Sequence, residues 1–373
     1  MANSIISYDF EVFSKAKWWC VTFIDVNTNE RTTIINNSKQ LKEYWSKHQT
    51  DIFIGYNNKG YDQWIMKAIL LNQNPFKVND GITMEDKAPY KLVKNYKSIQ
   101  MINYDISDKI HSLKQYEGFM GSMIKETDVP FDLDRPLTDE EIQQVIFYNI
   151  HDVEETIKVL KAKQGDFDSQ KLLVEMYNLP LIKLNDTKAQ LSAYVLGGVK
   201  QHSIDDEFLY DYKLPLNVIQ LNKYRYVLDW FLNPRNHTYK RSLVTMIAGV
   251  EHTYAFGGVH GAIKNYVSDD NCILVHLDVA SLYPSLMIIY HYLSRNVLDP
   301  KVFEEIKATR LKFKKMKDKK NKPLKIVINA TYGILKDKNN PLYDPCMSNC
   351  VCLTGQLLIT DLIEKIEGYC KLA

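Results

Sequence analysis

The sequence has few of the features that mark a secreted or membrane protein. Six cysteines in 373 residues are too sparse for a disulfide framework. Cys346, Cys350 and Cys352 cluster as C-x3-C-x-C but lack a second ligand pair at zinc spacing, so buried free thiols are expected there. The start, MANSIISYDFEVF, has no basic region ahead of an apolar stretch and does not read as a signal peptide. No run approaches the ~18 apolar residues needed to span a bilayer, and a cytoplasmic protein is expected. Neither sign of charge dominates: a formal net charge of +2 leaves any binding of polyanions to a local basic patch. Aromatic side chains, by contrast, are plentiful, with 24 Tyr, 14 Phe and 5 Trp. They serve a packed core first and stacking on flat ligands second.

The length predicts two or three domains, each with its own core. Ile5–Phe10 and Trp18–Val26 read as strands, with a hairpin turn at 27–30 leading into Thr32–Ile35. Leu41, Tyr44 and Trp45 fall at helical spacing, Asp51–Tyr56 is a further short strand, and Tyr61–Leu71 a further helix. This alternation predicts a mixed α/β domain. Thr138 opens a helix with a capping box to Glu141, and the polar stretch Lys161–Asp168 predicts a boundary, placing a first domain at 1–165. Residues 166–253 read as mainly helical. From 254 onward the pattern predicts a buried strand at Cys272–Leu277, helices at Leu282–Tyr292, Lys301–Lys317 and Leu324–Ile334, and a final amphipathic helix at Leu353–Glu367.

Three short motifs carry the chemistry of the first segment. Asp9 and Glu11 flank Phe10 on a strand, so both carboxylates leave the same face. Two acids that close repel each other and ordinarily need a cation between them, although an exposed edge strand with two acids reads the same way. Asp62 follows an apolar strand at the start of a helix, a place that suits a binding site or a simple cap. Tyr148 and Asp152 lie at i and i+4, with Asp152 between Ile150 and Val153 near a buried side. Four carboxylates with a tyrosine suffice for two-metal phosphodiester hydrolysis, in which Mg²⁺ or Mn²⁺ activates water and stabilises the leaving oxygen.

In this order and spacing, Y-D-F-E, N-K-G-Y-D and Y-N-I-H-D resemble the three motifs of DEDDy-type 3′→5′ proofreading exonucleases, over residues 5–155. The resemblance implies an RNase H-like domain with Asp9, Glu11, Asp62 and Asp152 as metal ligands and Tyr148 orienting the attacking water. It further implies that Asn58 and Tyr61 contact the frayed 3′ end, and that Ser112 and Leu113 meet single-stranded DNA.

A second set of motifs resembles a family B DNA polymerase. D-V-A-S-L-Y-P-S, residues 278–285, is similar to that family's motif A. The match implies that Asp278 and Val279 belong to the metal site, that Ser281, Leu282 and Tyr283 cradle the incoming dNTP, and that Tyr283 excludes a 2′-hydroxyl. K-I-V-I-N-A-T-Y-G, residues 325–333, resembles motif B. That likeness implies triphosphate contact by Lys325 and packing of Asn329 and Tyr332 on the nascent base pair, with Gly333 in the DNA-binding set. Between them, residues 310–325 hold nine Lys or Arg against one Asp; this is either a solvated face or a phosphate-binding one, with Arg310 as the candidate triphosphate contact. Phe256-Gly257-Gly258 resembles a template-binding Y-x-G-G element, with Ala255 in the tyrosine position.

The expected whole is therefore an RNase H-like exonuclease domain, a helical middle region, and at 254–373 a partial palm with short fingers near 299–336. It would act on primer–template DNA and dNTPs as a phage or prophage protein. No D-x-D follows Gly333, so the second acidic element of the polymerase site, motif C, is missing. A separate C-terminal polymerase fragment is then the expected partner. The competing expectations are a stand-alone exonuclease carrying a relic polymerase portion, and a non-catalytic DNA-binding subunit.

Overall fold

The computed structural model describes residues 3–199, 206–208, 212–269 and 271–372. The chain divides into two compact units, one ending at Asp186 and the other beginning at Thr187.

The first unit is mixed α/β. Its strands are β1 (Ile5–Phe13), β2 (Trp18–Asp25), β3 (Arg31–Ile35), β4 (Ile52–Gly55) and β5 (Ile102–Asp105), and its helices are α1 (Ser38–His48), α2 (Asp62–Leu70), α3 (Pro75–Thr83), α4 (Leu113–Phe119), α5 (Asp139–Ala162) and α6 (Gln164–Met176). The sheet runs β3-β2-β1-β4-β5. The β1–β2 and β2–β3 pairs are antiparallel, and the β1–β4 and β4–β5 pairs parallel.

Central β1 is covered on both faces, and its alternation sorts the side chains. Ile6, Tyr8, Phe10 and Val12 enter a core with Leu41 and Trp45 of α1 and Trp64, Ile65 and Ala68 of α2. Ser7, Asp9 and Glu11 point the other way, toward α5: Ser7 Oγ donates to Val153 O at 3.5 Å, and Asn149 Nδ2 donates to Asp9 O at 3.1 Å. Thr138 caps α5 and closes the capping box with Glu141, as its sequence requires. The polar stretch 161–168 is no linker. It is the end of α5 and the start of α6, whose Phe167, inside the polar run, and Leu173, beyond it, are buried.

In the second unit the helices are α7 (Lys188–Val195), α8 (Arg225–Leu232), α9 (Leu282–Ile289), α10 (Lys301–Lys315), α11 (Asn321–Ile334) and α12 (Pro345–Ile366). Strands β6 (Leu243–Ile247), β7 (Val250–Ala255) and β8 (Gly258–Gly261) form an antiparallel sheet in that order. The region to 253 is thus not all helical. Its hairpin turns on Ala248 and Gly249, both at positive φ (47° and 84°), the two-residue geometry that matches strand twist.

Two further expectations fail here. Residues 272–277 form no strand: they are irregular, with Ile273 90% exposed and Leu274, Val275 and Leu277 also open to solvent. A strand needs neighbours for its N–H and C=O groups, and none of the described strands pairs with this segment. Helix α12 begins eight residues earlier than its amphipathic pattern suggests, and it is buried nearly all round. It is long and apolar enough to cross a bilayer, but 83% of its apolar window is buried inside the protein, so it reads as a core helix. Asp361, on the polar side of that pattern, is only 6% exposed: it accepts Gln220 N–H at 3.1 Å and pairs with Lys365 at 2.6 Å. Cys346, Cys350 and Cys352 are free thiols buried on α12.

Candidate active site

Three elements of the first unit bring the acids together. Asp9 and Glu11 leave β1, Asp62 begins α2, and Asp152 lies on α5. Each is oriented by a neighbour. Asp62 Oδ1 accepts the Phe10 N–H at 3.0 Å, tying α2 to β1 between the other two acids. Asn149 Nδ2 donates to Asp9 Oδ2 at 2.9 Å, tying α5 to the same strand. Lys114 Nζ, from α4, lies 2.6 Å from Asp152 Oδ1 and 3.0 Å from Glu117 Oε1, and sits 4.8 Å from the Tyr148 ring centroid.

The electrostatics record this crowding. Burial, followed by the charges of Asp62, Glu11 and Asp152, holds Asp9 well above the usual carboxylate range; the Asn149 hydrogen bond opposes this. Glu11 is raised by burial and then by Asp152 and Asp62, against a hydrogen bond from Asp9 and the charge of Lys114. Burial pushes Asp62 up to about 7, against the Phe10 N–H. Asp152 is raised by burial despite its bond to Lys114. Burial, then Asp152 and Glu11, raise the Tyr148 phenol, which keeps it a protonated donor. Four acids thus share one buried site with a single ammonium, and crowding with burial disfavours their charged forms.

The tightest grouping is not the one the motifs suggest. Among the described residues, the group of three metal-capable atoms lying within 4.8 Å of one another is Glu117, His151 and Asp152. Lys114 draws the Asp152 carboxylate toward Glu117, and this buried cluster could hold a metal ion. Lys114, Glu117, Asn149 and His151 were not picked out from sequence. Lys114 and Glu117 lie one turn apart just after the Ser112 cap, but nothing in their spacing links them to residues 149–152.

The expected DNA-contacting residues scatter in exposure. Asn58 is fully buried, its amide donating to Asn103 Oδ1 at 2.7 Å. Tyr61 is half-buried and donates to Asn79 Oδ1 at 2.6 Å. Tyr61 and Glu11 line a cavity of about 300 Å³ with Asn79, Met84 and Phe131. Exposed Ser112 caps α4, and half-buried Leu113 is its first residue.

In the second unit, Tyr283 of α9 and Tyr332 of α11 are brought together, ring centroids 4.5 Å apart. Lys325 and Asn329 lie exposed on α11, and exposed Gly333 ends the same stretch. Ser281 forms the tight turn before α9, at φ 56°, and Leu282 opens the helix. Arg310 is half-buried on α10, which packs on α11. Gly257 lies in the β7–β8 turn and Gly258 opens β8, where its φ of 149° favours glycine. Asp278 and Val279 lie on the exposed irregular segment. Asp344, Asp361, Glu364 and Glu367 are engaged elsewhere, with Arg295, Lys365, the Asn222 and Tyr224 amides, and Lys223 respectively.

No protein-family model matches the chain, and no curated protein matches it.

Proposed function

We propose that the first unit is a metal-dependent 3′→5′ DNA exonuclease of the DEDDy type on an RNase H-like fold, in a chain related to the family B DNA polymerases. The observation that carries this reading is the meeting of Asp9, Glu11, Asp62 and Asp152 from three separate elements, each acid raised by burial and Asp9 and Glu11 further by the charges of the other acids. The sheet order, with an antiparallel meander on one side of β1 and two parallel strands on the other, supports the same fold.

Hard carboxylate oxygens in excess over cations fit Mg²⁺ or Mn²⁺, with those four acids as the ligands. Ions held there supply an activated water and stabilise a leaving oxygen. The chain's own residues do the rest. Phe10 N–H and Asn149 hold Asp62 and Asp9 in orientation, and the protonated Tyr148 phenol is placed to orient water beside Asp152. The cavity beside Glu11 and Tyr61 is large enough for a terminal nucleotide. Asp9→Ala with Glu11→Ala should abolish Mg²⁺-dependent digestion of single-stranded DNA by the purified chain without altering its melting profile. Undiminished digestion would overturn the assignment.

For the second unit we propose the partial palm and fingers of such a polymerase. The Tyr283–Tyr332 pair beside the basic α10–α11 pair supports dNTP and primer–template binding. The exposed apolar segment 273–277 is a strand candidate without a partner, which supports completion by a separate fragment bearing motif C. The exposed Asp278 equally favours the second reading, an exonuclease with a relic polymerase portion. Primer extension separates the two. The chain alone is expected to add no nucleotides, because transfer by two metals needs acids from two strands; robust extension by it would refute both readings. Extension on adding the fragment favours the split enzyme.

A further inference from the structure

Beside the four-acid site lie two donors, Glu117 and His151, that the nuclease reading does not use. Glu117 of α4 is 0% exposed, and its Oε1 is taken by Lys114. Its Oε2 is buried without a hydrogen-bond partner. Facing it at 3.7 Å is Nε2 of His151, likewise buried and without a hydrogen-bond partner. That separation is too long for a hydrogen bond. It is close to the spacing of two ligands on one tetrahedral ion, about 3.3 Å for bonds near 2.0 Å. Asp152 offers the third atom, and all three lie within 4.8 Å of one another.

We propose that Glu117, His151 and Asp152 bind one first-row transition-metal ion of the Zn²⁺ class, at a site that borders the four-acid centre and shares Asp152 with it. One imidazole nitrogen with two carboxylate oxygens favours Zn²⁺ and Co²⁺ over Mg²⁺, which prefers an all-oxygen octahedron. The two unpartnered atoms gain a shared cation, and the helix pair α4–α5 supplies every ligand. Lys114 competes for the site, since its ammonium already contacts both carboxylates. If the nuclease reading holds, occupancy also withdraws Asp152 from Asp9 and Glu11, and the ion inhibits.

The experiment is a Co²⁺ titration of the full chain in the Asp9→Ala/Glu11→Ala background, which removes the four-acid centre and makes the result independent of nuclease activity. Visible ligand-field bands report the bound ion, and pulsed electron paramagnetic resonance reports nitrogen coupling. The expected result is one Co²⁺ with imidazole coupling, displaced by equimolar Zn²⁺ and retained in excess Mg²⁺. The chain has nine histidines, so His151→Ala identifies the ligand: it should remove the nitrogen coupling, and Glu117→Gln should weaken binding at least about ten-fold. Absence of nitrogen-coupled Co²⁺ in the background protein overturns the proposal, as does coupling that survives His151→Ala. The first of these readouts needs no further variant to fold.

Discussion

Asp62→Asn should stabilise the metal-free protein. Asp62 is 3% exposed, and burial is the main reason its carboxyl titrates near 7 instead of 3.8. Because the folded value lies above the unfolded one, the folded state holds a proton between about pH 4 and 7 that the unfolded state has lost. Stability therefore falls as pH rises through that window, and the loss is complete above about 7. A shift of about three units corresponds to about 4 kcal/mol at pH 8. Asparagine keeps an oxygen for the Phe10 N–H and removes the charge, but it buries an amide whose NH₂ lacks a partner, at about 1–3 kcal/mol. The net gain expected at pH 8 is about 1–3 kcal/mol, or about 2–10 °C in Tm for a unit of this size. Scanning calorimetry in excess chelator at pH 8 and pH 5 is the assay. The gain should shrink at pH 5, where the parent's Asp62 is protonated in the fold. Adding Mn²⁺ should stabilise the parent more than the variant, because the variant has lost a ligand charge. A variant less stable than the parent in chelator at pH 8, or a gain of equal size at both pH values, would refute the reasoning.

Two other perturbations test separate parts of the molecule. Tyr148→Phe should leave Mn²⁺ binding intact, measured calorimetrically, and slow nuclease turnover ~10–100-fold, as loss of a proton-positioning group does; a smaller loss than this counts against a role for the phenol in orienting water. Asp344 is 1% exposed, accepts from Arg295 at 2.6 Å and caps α12 through Met347 N–H at 3.3 Å. Asp344→Ala should therefore destabilise the second unit by about 2 kcal/mol, since it removes the α12 cap and a pair whose Arg295 side is open to solvent, and denaturant unfolding measures it.

The first unit was largely legible because its signals are local. Strand alternation, the Thr138 capping box and the positions of Asp9, Glu11, Asp62 and Asp152 all depend on spacings of two to seven residues, which backbone geometry converts directly into faces. Segment 272–277 was misread for the complementary reason. Its composition is that of a buried strand, but a strand exists only where another supplies hydrogen bonds, and composition carries no information about the neighbour. The burial of Asp361 was not legible either, since an amphipathic pattern says which side is more polar and not that anything leaves it open.

By itself, then, the sequence determined the α/β alternation, the elements bearing the acids and the absence of a second acidic pair after Gly333. Only the tertiary structure decided that α4 packs on α5, and so that Lys114 reaches Asp152, that Glu117 faces His151, and that Asn149 holds Asp9. Residues 114–117 and 149–152 are separated by more than thirty positions. No helical or strand period spans that distance, so their meeting comes from the packing of two amphipathic helices and not from any pattern along the chain.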